Sequence, residues 1–257
     1  MKNIIGKLSE IEGKVGFYFK NLITKEVISY NENQKMLAAS LIKLTVLGEI
    51  FNQIECGKIK NDEIFITRQE DKVPSCGALN YMDENLQVTL KDLYTLMIIL
   101  SDNYATNLLI DRCEIKNINN FIKENNLKNT ILNRKMFDSI GASKGLENYT
   151  SARDMGLLLE KIYNGKLVSK KASSEMLDIL KNQRLNSKIP FFLSSGKNKT
   201  IIAHKTGEDV NITHDVGIVF AKQPFIICFL GNDVDVPNFE RVIQDISFEI
   251  YKEINAK

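Results

Sequence analysis

The chain has 257 residues, of which 44% are hydrophobic and 26% are charged. This composition is typical of a globular protein, and the length suits one large domain or two closely packed lobes. The formal net charge of +2 is too small to indicate a nucleic-acid partner. No apolar run approaches the roughly 18 residues of a membrane span, so we predict no membrane partner either.

The metal-binding residue types are few and scattered. There are only two histidines, His204 and His214, and no C-x-x-C pair occurs among the cysteines, which are Cys56, Cys76, Cys113 and Cys228. We therefore predict no metal site and no cofactor, and we expect reduced thiols. The first apolar residues are too few for a signal peptide, which predicts a cytoplasmic protein, or a secreted one if a leader has been removed.

Apolar spacing predicts a first helix over 1–12, then two strands, Val15–Lys20 and Glu26–Tyr30. The next helix, over 38–56, is apolar nearly all round, which is typical of a central buried helix. Further helices are predicted from Thr89 to Leu100, up to Arg112, and over 117–125, 151–163 and 169–181.

The C-terminal part returns to strand patterns over Thr200–His204, Thr213–Phe220 and Phe225–Leu230, followed by a helix over 238–254. Strands at both ends of the chain and helices between them predict a mixed α/β fold. We expect one five-stranded antiparallel sheet flanked by helices, with an all-helical lobe inserted. We predict a single domain over 1–257, with an α/β lobe (1–36 and 190–257) and a helical lobe (37–189).

Ser40 and Lys43 form an S-x-x-K pattern at the start of the central helix. One helical turn places both side chains on the same face, where a neutral lysine could take the proton of the serine hydroxyl. Burial would lower the pKa of this lysine and favour its neutral form. A second S-x-x-K, from Ser194 to Lys197, lies in a polar loop with no helix behind it, and we do not assign it a function.

Two further short motifs lie downstream. Ser101-Asp102-Asn103 breaks a helical pattern, so Ser101 or Asp102 could simply cap the next helix. In a functional interpretation, Ser101 passes a proton to a leaving nitrogen and Asn103 holds a substrate amide.

Lys205-Thr206-Gly207 ends a predicted strand and could be an ordinary sheet edge before a turn. In a functional interpretation, Lys205 and Thr206 bind a substrate carboxylate, and Gly207 lets the substrate approach the backbone. The N–H groups of Ser40 and Glu208 would then form an oxyanion hole.

In this order, the three motifs resemble the serine β-lactamase and penicillin-binding superfamily, and class A β-lactamases most of all. The segments TLKDLYTLMIILSDNYATNLLID and NYTSARDMGLLLEKI are also similar to family helices. The resemblance covers residues 15–250 and implies acylation at Ser40, with Lys43, Ser101 and Lys205 as catalytic residues. It implies Asn103, Thr206, Gly207 and Glu208 as substrate-binding residues.

One segment departs from the family pattern. Class A enzymes carry a glutamate that activates the deacylating water, within a loop that reads roughly Arg-x-Glu-Pro-x-Leu-Asn. The matching stretch here is 134–138, and Met136 stands where the resemblance places the glutamate. Asp138 could replace that carboxylate, and Glu147 is a second, weaker alternative. An ordinary solvated loop charge is the interpretation that we favour for both.

The loop-closing ion pair of the family would fall on Arg134 and Asn148, with asparagine in place of aspartate. The resemblance therefore implies intact acylation and impaired deacylation. A Ser–His arrangement using His204 or His214 is a weaker alternative, because Lys43 already supplies a base.

Three functions stay open at this stage. The first is a class A β-lactamase-like hydrolase with slow turnover. The second is a cytosolic DD-peptidase or esterase-like acyl transferase acting on acyl esters or peptides. The third is a penicillin-binding sensor that is acylated once. In each case we expect a small-molecule substrate and a monomer.

Overall fold

The computed structural model describes residues 3–74, 76–194 and 199–256. The strands are β1 (Lys14–Asn21), β2 (Val27–Tyr30), β3 (Met36–Leu37), β4 (Ile64–Ile66), β5 (Gln87–Thr89), β6 (Tyr149–Thr150), β7 (Ile202–Asp209), β8 (Ile212–Val219) and β9 (Phe225–Asn232). The α-helices are α1 (Ile4–Ser9), α2 (Lys43–Glu55), α3 (Leu90–Ile99), α4 (Asn103–Cys113), α5 (Ile115–Glu124), α6 (Ser139–Ser143), α7 (Ala152–Tyr163), α8 (Lys170–Lys181) and α9 (Val236–Ala256).

The main sheet is five-stranded and antiparallel, in the order β2-β1-β9-β8-β7. Both ends of the chain contribute to it, as the sequence predicts, and β7 is an edge strand. The two faces alternate along each strand. Phe17 and Phe19 pack with residues of α1 and α9, whereas Tyr18 between them packs with the core of the helices on the other face.

Helix α2 lies at the centre of the helical layer. Ten of its thirteen residues are buried, because α3, α4, α5 and α8 surround it. This confirms the helix that the sequence predicts to be apolar nearly all round. Two small sheets, β3–β6 and β4–β5, accompany the helices and were not predicted.

Side-chain caps explain why the predicted helix starts are accurate. Thr89 and Asp92 form a reciprocal capping box at the start of α3, with Thr89 Oγ1 accepting from Asp92 N at 3.0 Å. Ser151 caps α7 by accepting from Asp154 N at 3.2 Å. Ser169 caps α8 in the same way through Ala172 N.

Two predicted boundaries were wrong near the motifs. Residues Ala39–Ile42 form a 3₁₀ turn, and the α-helix begins only at Lys43, so Ser40 does not lie on the α-helix itself. Strand β7 runs on to Asp209, so Lys205-Thr206-Gly207 lies inside the strand and does not end it. The continued pairing with β8 provides backbone partners that outweigh the weak strand propensity of these residues. Within the described residues, no helix is both long and apolar enough to cross a membrane.

Candidate active site

Ser40 lines a cavity with a volume of about 480 Å³. Its 3₁₀ turn begins at Ala39, whose φ of +42° is in the left-handed region that a β-carbon disfavours. Ser40 is half-buried and lines the cavity together with Asn103 and Glu208. The turn thus places Ser40 on the cavity wall, and the buried Lys43 follows at the start of α2.

Lys43 is completely buried and is surrounded by acceptors from the second motif. Its Nζ donates to Ser101 O at 2.7 Å, to Ser101 Oγ at 3.0 Å and to Asn103 Oδ1 at 2.7 Å. Burial lowers the pKa of Lys43 well below its ordinary value, and the nearby charge of Lys205 lowers it further. An amine in this position can exist in the neutral form that a general base requires.

Ser101 has a φ of +55°, which is strained for a residue with a β-carbon. Asp102 stabilises this break. Its Oδ1 caps α4 by accepting from Ala105 N at 2.9 Å, and its Oδ2 accepts from the N–H groups of Ala78 and Leu79 at 2.7 and 3.0 Å. The expectation that Ser101 or Asp102 caps the next helix is therefore met by Asp102, which leaves the Ser101 hydroxyl directed into the site.

Lys205 approaches the same hydroxyl from the sheet. Its Nζ donates to Ser101 Oγ at 3.0 Å and to Thr206 O at 2.7 Å. Burial lowers the pKa of Lys205 to about 7, and the charge of Lys188 contributes in the same direction. Ser101 Oγ therefore bridges two lysines, Lys43 and Lys205, whose pKa values are both lowered by burial.

Gly207 allows β7 to pack against the turn that carries the serine. A β-carbon at this position would lie 3.0 Å from His214 Cδ2, 3.3 Å from Leu41 Cγ and 3.4 Å from Ala38 O. These contacts are tighter than ordinary side-chain packing allows, so a larger residue would push the strand away from the turn. The close approach brings the backbone of Glu208 to the same cavity wall as Ser40.

His204 is bound within the sheet and does not contact Ser40. Its Nδ1 lies 2.9 Å from Asp215 Oδ1, and its Nε2 lies 3.0 Å from Asn186 Oδ1. Asp215 also accepts from Ile189 N at 3.0 Å. His204 and Asp215 therefore anchor the segment that approaches β7, a role that the sequence pattern did not predict for Asp215.

His214 is also fully occupied by backbone groups. Its Nε2 donates to Leu37 O at 2.9 Å, while its Nδ1 accepts from Gly231 N at 3.1 Å. Burial lowers the pKa of His214 to about 4, which keeps the ring neutral. Both ring nitrogens of each histidine thus have structural partners, and neither histidine bonds Ser40.

The loop opposite β7 is closed by an asparagine clamp. Asn148 Oδ1 accepts from Asn133 N at 2.8 Å and from Arg134 N at 3.1 Å, while its Nδ2 donates to Arg134 O at 3.0 Å. The Arg134 guanidinium pairs with Glu147, at 2.7 Å from Nη2 to Oε2. The predicted pair of Arg134 and Asn148 does come together, but Asn148 binds the backbone and Glu147 receives the charge.

Met136 lies where this loop meets the cavity. It lines the cavity, and its backbone is held by Asn107, which accepts from Met136 N at 2.8 Å and donates to Met136 O at 3.0 Å. Asn107 was not identified from the sequence. Its position one helical turn after Asn103 was the available signal, because residues four apart share a helix face.

Asp138 lines the cavity, and its carboxylate also caps a helix. Its Oδ1 caps α6 by accepting from Gly141 N at 2.9 Å. The deacylating role considered for it stays a prediction. Lys197, the lysine of the second S-x-x-K pattern, lies outside the described residues.

A sequence model described as the beta-lactamase enzyme family matches residues 1–254. The chain belongs to the beta-lactamase enzyme family. Its fold is that of the serine β-lactamase and penicillin-binding superfamily, which confirms the resemblance drawn from the motifs.

Solved structures agree with this assignment. The β-lactamase from Sphaerobacter thermophilus is similar in fold, with a TM-score of 0.91 and 24% identity over 99% of this chain and 96% of that one. PBP-A has a TM-score of 0.89 and 28% identity over 100% and 96% of the two chains. A variant of PBP-A in an acyl-enzyme complex with penicillin G has a TM-score of 0.88, with the same identity and coverage. No curated protein matches the chain.

Proposed function

We propose that this family member is a serine hydrolase of the class A type, which β-lactams acylate at Ser40 and which releases the acyl group slowly. The observation that carries the proposal is the position of Ser101 Oγ, 3.0 Å from both Lys43 Nζ and Lys205 Nζ, beside the cavity that Ser40 lines. This arrangement provides a base, a proton relay and a cation within one connected group.

In the proposed acylation, the Ser40 hydroxyl proton moves to neutral Lys43 while Ser40 Oγ attacks the carbonyl carbon. The N–H groups of Ser40 and Glu208 receive the oxyanion. The proton then moves from Lys43 through Ser101 to the leaving nitrogen as the C–N bond breaks. Lys205 and Thr206 hold the substrate carboxylate, and Asn103 holds its amide. The product is an ester on Ser40.

The side chains on the loop support the proposed slow deacylation. Met136 offers no group that could take a proton from water, Asp138 caps α6, and Glu147 pairs with Arg134. Hydrolysis of the ester requires a base beside the attacking water. None of these three residues provides a carboxylate without a structural partner.

A second candidate is a DD-peptidase, esterase or acyl transferase that uses the same acylating site. The 28% identity with PBP-A over nearly the whole of both chains favours it. A penicillin-binding sensor is the limiting case, in which the acyl group is never released. We expect a monomer acting on a small molecule, in the cytoplasm, in all three cases.

The test is the intact mass of the protein after mixing with penicillin G, sampled from seconds to hours, with Ser40→Ala as the control. We expect a penicillin-sized adduct on the wild-type protein only. A lifetime of minutes or more with slow product release supports the hydrolase, and one equivalent of product without turnover supports the sensor. An equal adduct on Ser40→Ala would refute the assignment. No adduct on either protein, with cleavage of acyl esters or D-Ala-D-Ala peptides, would favour the second candidate.

A further inference from the structure

One buried cation near the motif on β7 has no place in the acylation scheme. Lys188 has a side chain with no exposed surface, and it forms an ion pair with Glu208. Its second carboxylate is that of Glu240 on α9, 3.4 Å from Lys188 Nζ. Removing a charged amine from water is unfavourable unless it is paired, so these two carboxylates stabilise it.

The register of the sheet places Lys188 on the face that Thr206 presents. Thr206 and Glu208 share one face of β7, because side chains alternate along a strand. Their partners on β8 are Asp215 and Thr213. Asp215 accepts from the N–H of Ile189, the residue next to Lys188, so this segment is fixed at the level of Thr206.

The two carboxylates that hold Lys188 differ in environment. The Glu240 side chain is 25% exposed, and its Oε1 also accepts from Thr213 Oγ1 at 2.9 Å. The Glu208 side chain is 50% exposed and lines the cavity. Glu208 is therefore the carboxylate that can separate from Lys188. Water can solvate it, and within the described residues its side chain forms no other hydrogen bond that would have to break.

We propose that the Glu208 carboxylate competes with the carboxylate of the substrate for Lys188. An anionic substrate displaces it from Lys188, which then becomes the second cation, besides Lys205, that binds the substrate carboxylate beside Thr206. The free carboxylate of Glu208 turns to solvent, so the net exchange is one carboxylate for another. This rests on the proposed function and adds a charge preference to it: the site selects anionic substrates, at an affinity lowered by its own glutamate.

The test compares two ligands that differ by one charge, penicillin G and its methyl ester. Their binding is measured by calorimetry on Ser40→Ala variants, so that no covalent step contributes. Glu208→Gln should lower the Kd of penicillin G by about fivefold and change that of the ester by less than about twofold. Asp209→Asn is the matched control, since Asp209 is the next residue on β7, lines the same cavity and forms no ion pair within the described residues.

A second variant tests the cation itself. Lys188→Met is made together with Glu208→Gln, because the single change would leave Glu208 without its partner. The double variant should bind penicillin G about tenfold more weakly than Glu208→Gln alone, with unchanged affinity for the ester. Melting curves of every variant establish that each one is folded.

Three results would overturn the proposal. In the first, Glu208→Gln tightens binding of the ester as much as that of penicillin G. In the second, Asp209→Asn has the same effect as Glu208→Gln, which would indicate general repulsion and no displacement. In the third, the double variant keeps the affinity of Glu208→Gln.

If penicillin G binds with this charge dependence but never acylates Ser40 in the wild-type protein, the proposed function fails alone. If neither ligand binds any variant while penicillin G still acylates Ser40 in the wild-type protein, the charge proposal fails alone.

Discussion

The cavity has two walls of different character. On the β7 side, polar side chains bond one another beside the cavity: Ser101 Oγ accepts from two lysines, and Glu208, which lines the cavity, pairs with a third lysine, Lys188. On the loop side, the polar side chains face the loop itself, as Asn148 clamps the backbone and Asp138 caps α6. The comparison shows that the side chains of the first wall form one connected group around Ser101 Oγ, whereas those of the second wall bond the backbone of their own loop. In the proposed function, forming the acyl-enzyme uses the first wall, and hydrolysing it would need a base on the second.

The largest expected effect is on the first wall. Lys43→Met removes the proposed base while keeping the length of the side chain. It should slow acylation by penicillin G by about 10²- to 10⁴-fold, the usual contribution of a general base. Rapid-mix mass spectrometry measures the rate. Lys161→Met is the control, because Lys161 is a partly buried lysine that bonds Asn125 and does not line the cavity. A loss of less than tenfold in Lys43→Met would contradict the assignment of the base.

The second-largest effect is expected from adding a possible base to the loop side of the cavity. Met136→Glu places a carboxylate at the cavity on a backbone that Asn107 already holds. It should shorten the lifetime of the penicillin adduct at least about tenfold, with little change in the acylation rate. Phe137→Glu is the matched control, since the neighbouring residue adds the same charge to the same cavity. Equal acceleration by both variants would show that charge alone is responsible, and no acceleration by either would contradict the comparison.

The pH dependence of acylation should separate the two lysines. Lys205 must carry a proton to attract a carboxylate, and its pKa lies at about 7. As the pH rises through this value, the acylation rate with penicillin G should therefore fall, by up to about tenfold per pH unit. The methyl ester has no carboxylate and should lack this decline. Lys43 must lose its proton, so the rate with both ligands should fall as the pH is lowered through the depressed pKa of Lys43. Identical profiles for the two ligands would argue against the role of Lys205.

The smallest expected effect is on the closure of the loop. Asn148→Ala removes three hydrogen bonds of a buried side chain and should lower the free energy of unfolding by about 1–3 kcal/mol. Glu147→Ala removes an ion pair whose glutamate side chain is 30% exposed, and it should cost less than about 1 kcal/mol. Urea unfolding of both variants measures the difference. A larger loss in Glu147→Ala would mean that the ion pair closes the loop.

The sequence predicted well where one physical signal dominates. Runs rich in Ile, Val and Phe predicted the C-terminal strands of the main sheet, and caps such as Thr89 and Ser151 predicted helix starts. The motifs also contained the residues that meet around Ser101 Oγ. The sequence pattern did not predict the 3₁₀ turn at Ser40, because that turn depends on β7 packing against it through Gly207.

A local sequence pattern could not predict the bonding partners of the polar loop residues either. Asp138 and Glu147 look alike in the sequence, as charges in a polar segment. Their partners, Gly141 N and the Arg134 guanidinium, depend on how the loop folds back on itself. The ion pair of Lys188 with Glu208 joins residues that are twenty positions apart in the chain. Helical or strand periodicity in the sequence cannot predict a contact of this kind.

The pairing of β1 with β9 also bears on the order in which the sheet can form. β1 is synthesised before all the helices of the helical layer, whereas one of its two neighbours, Phe225–Asn232, is synthesised after them. Strand β7, which carries Lys205, joins the sheet only through β8 and β9. Such pairing between distant segments is slow, because a long loop must close before the contacts form. A chain that stops before β9 therefore has both lysines and the β7–β8 pair, but it lacks the strand that joins this pair to β1 and β2.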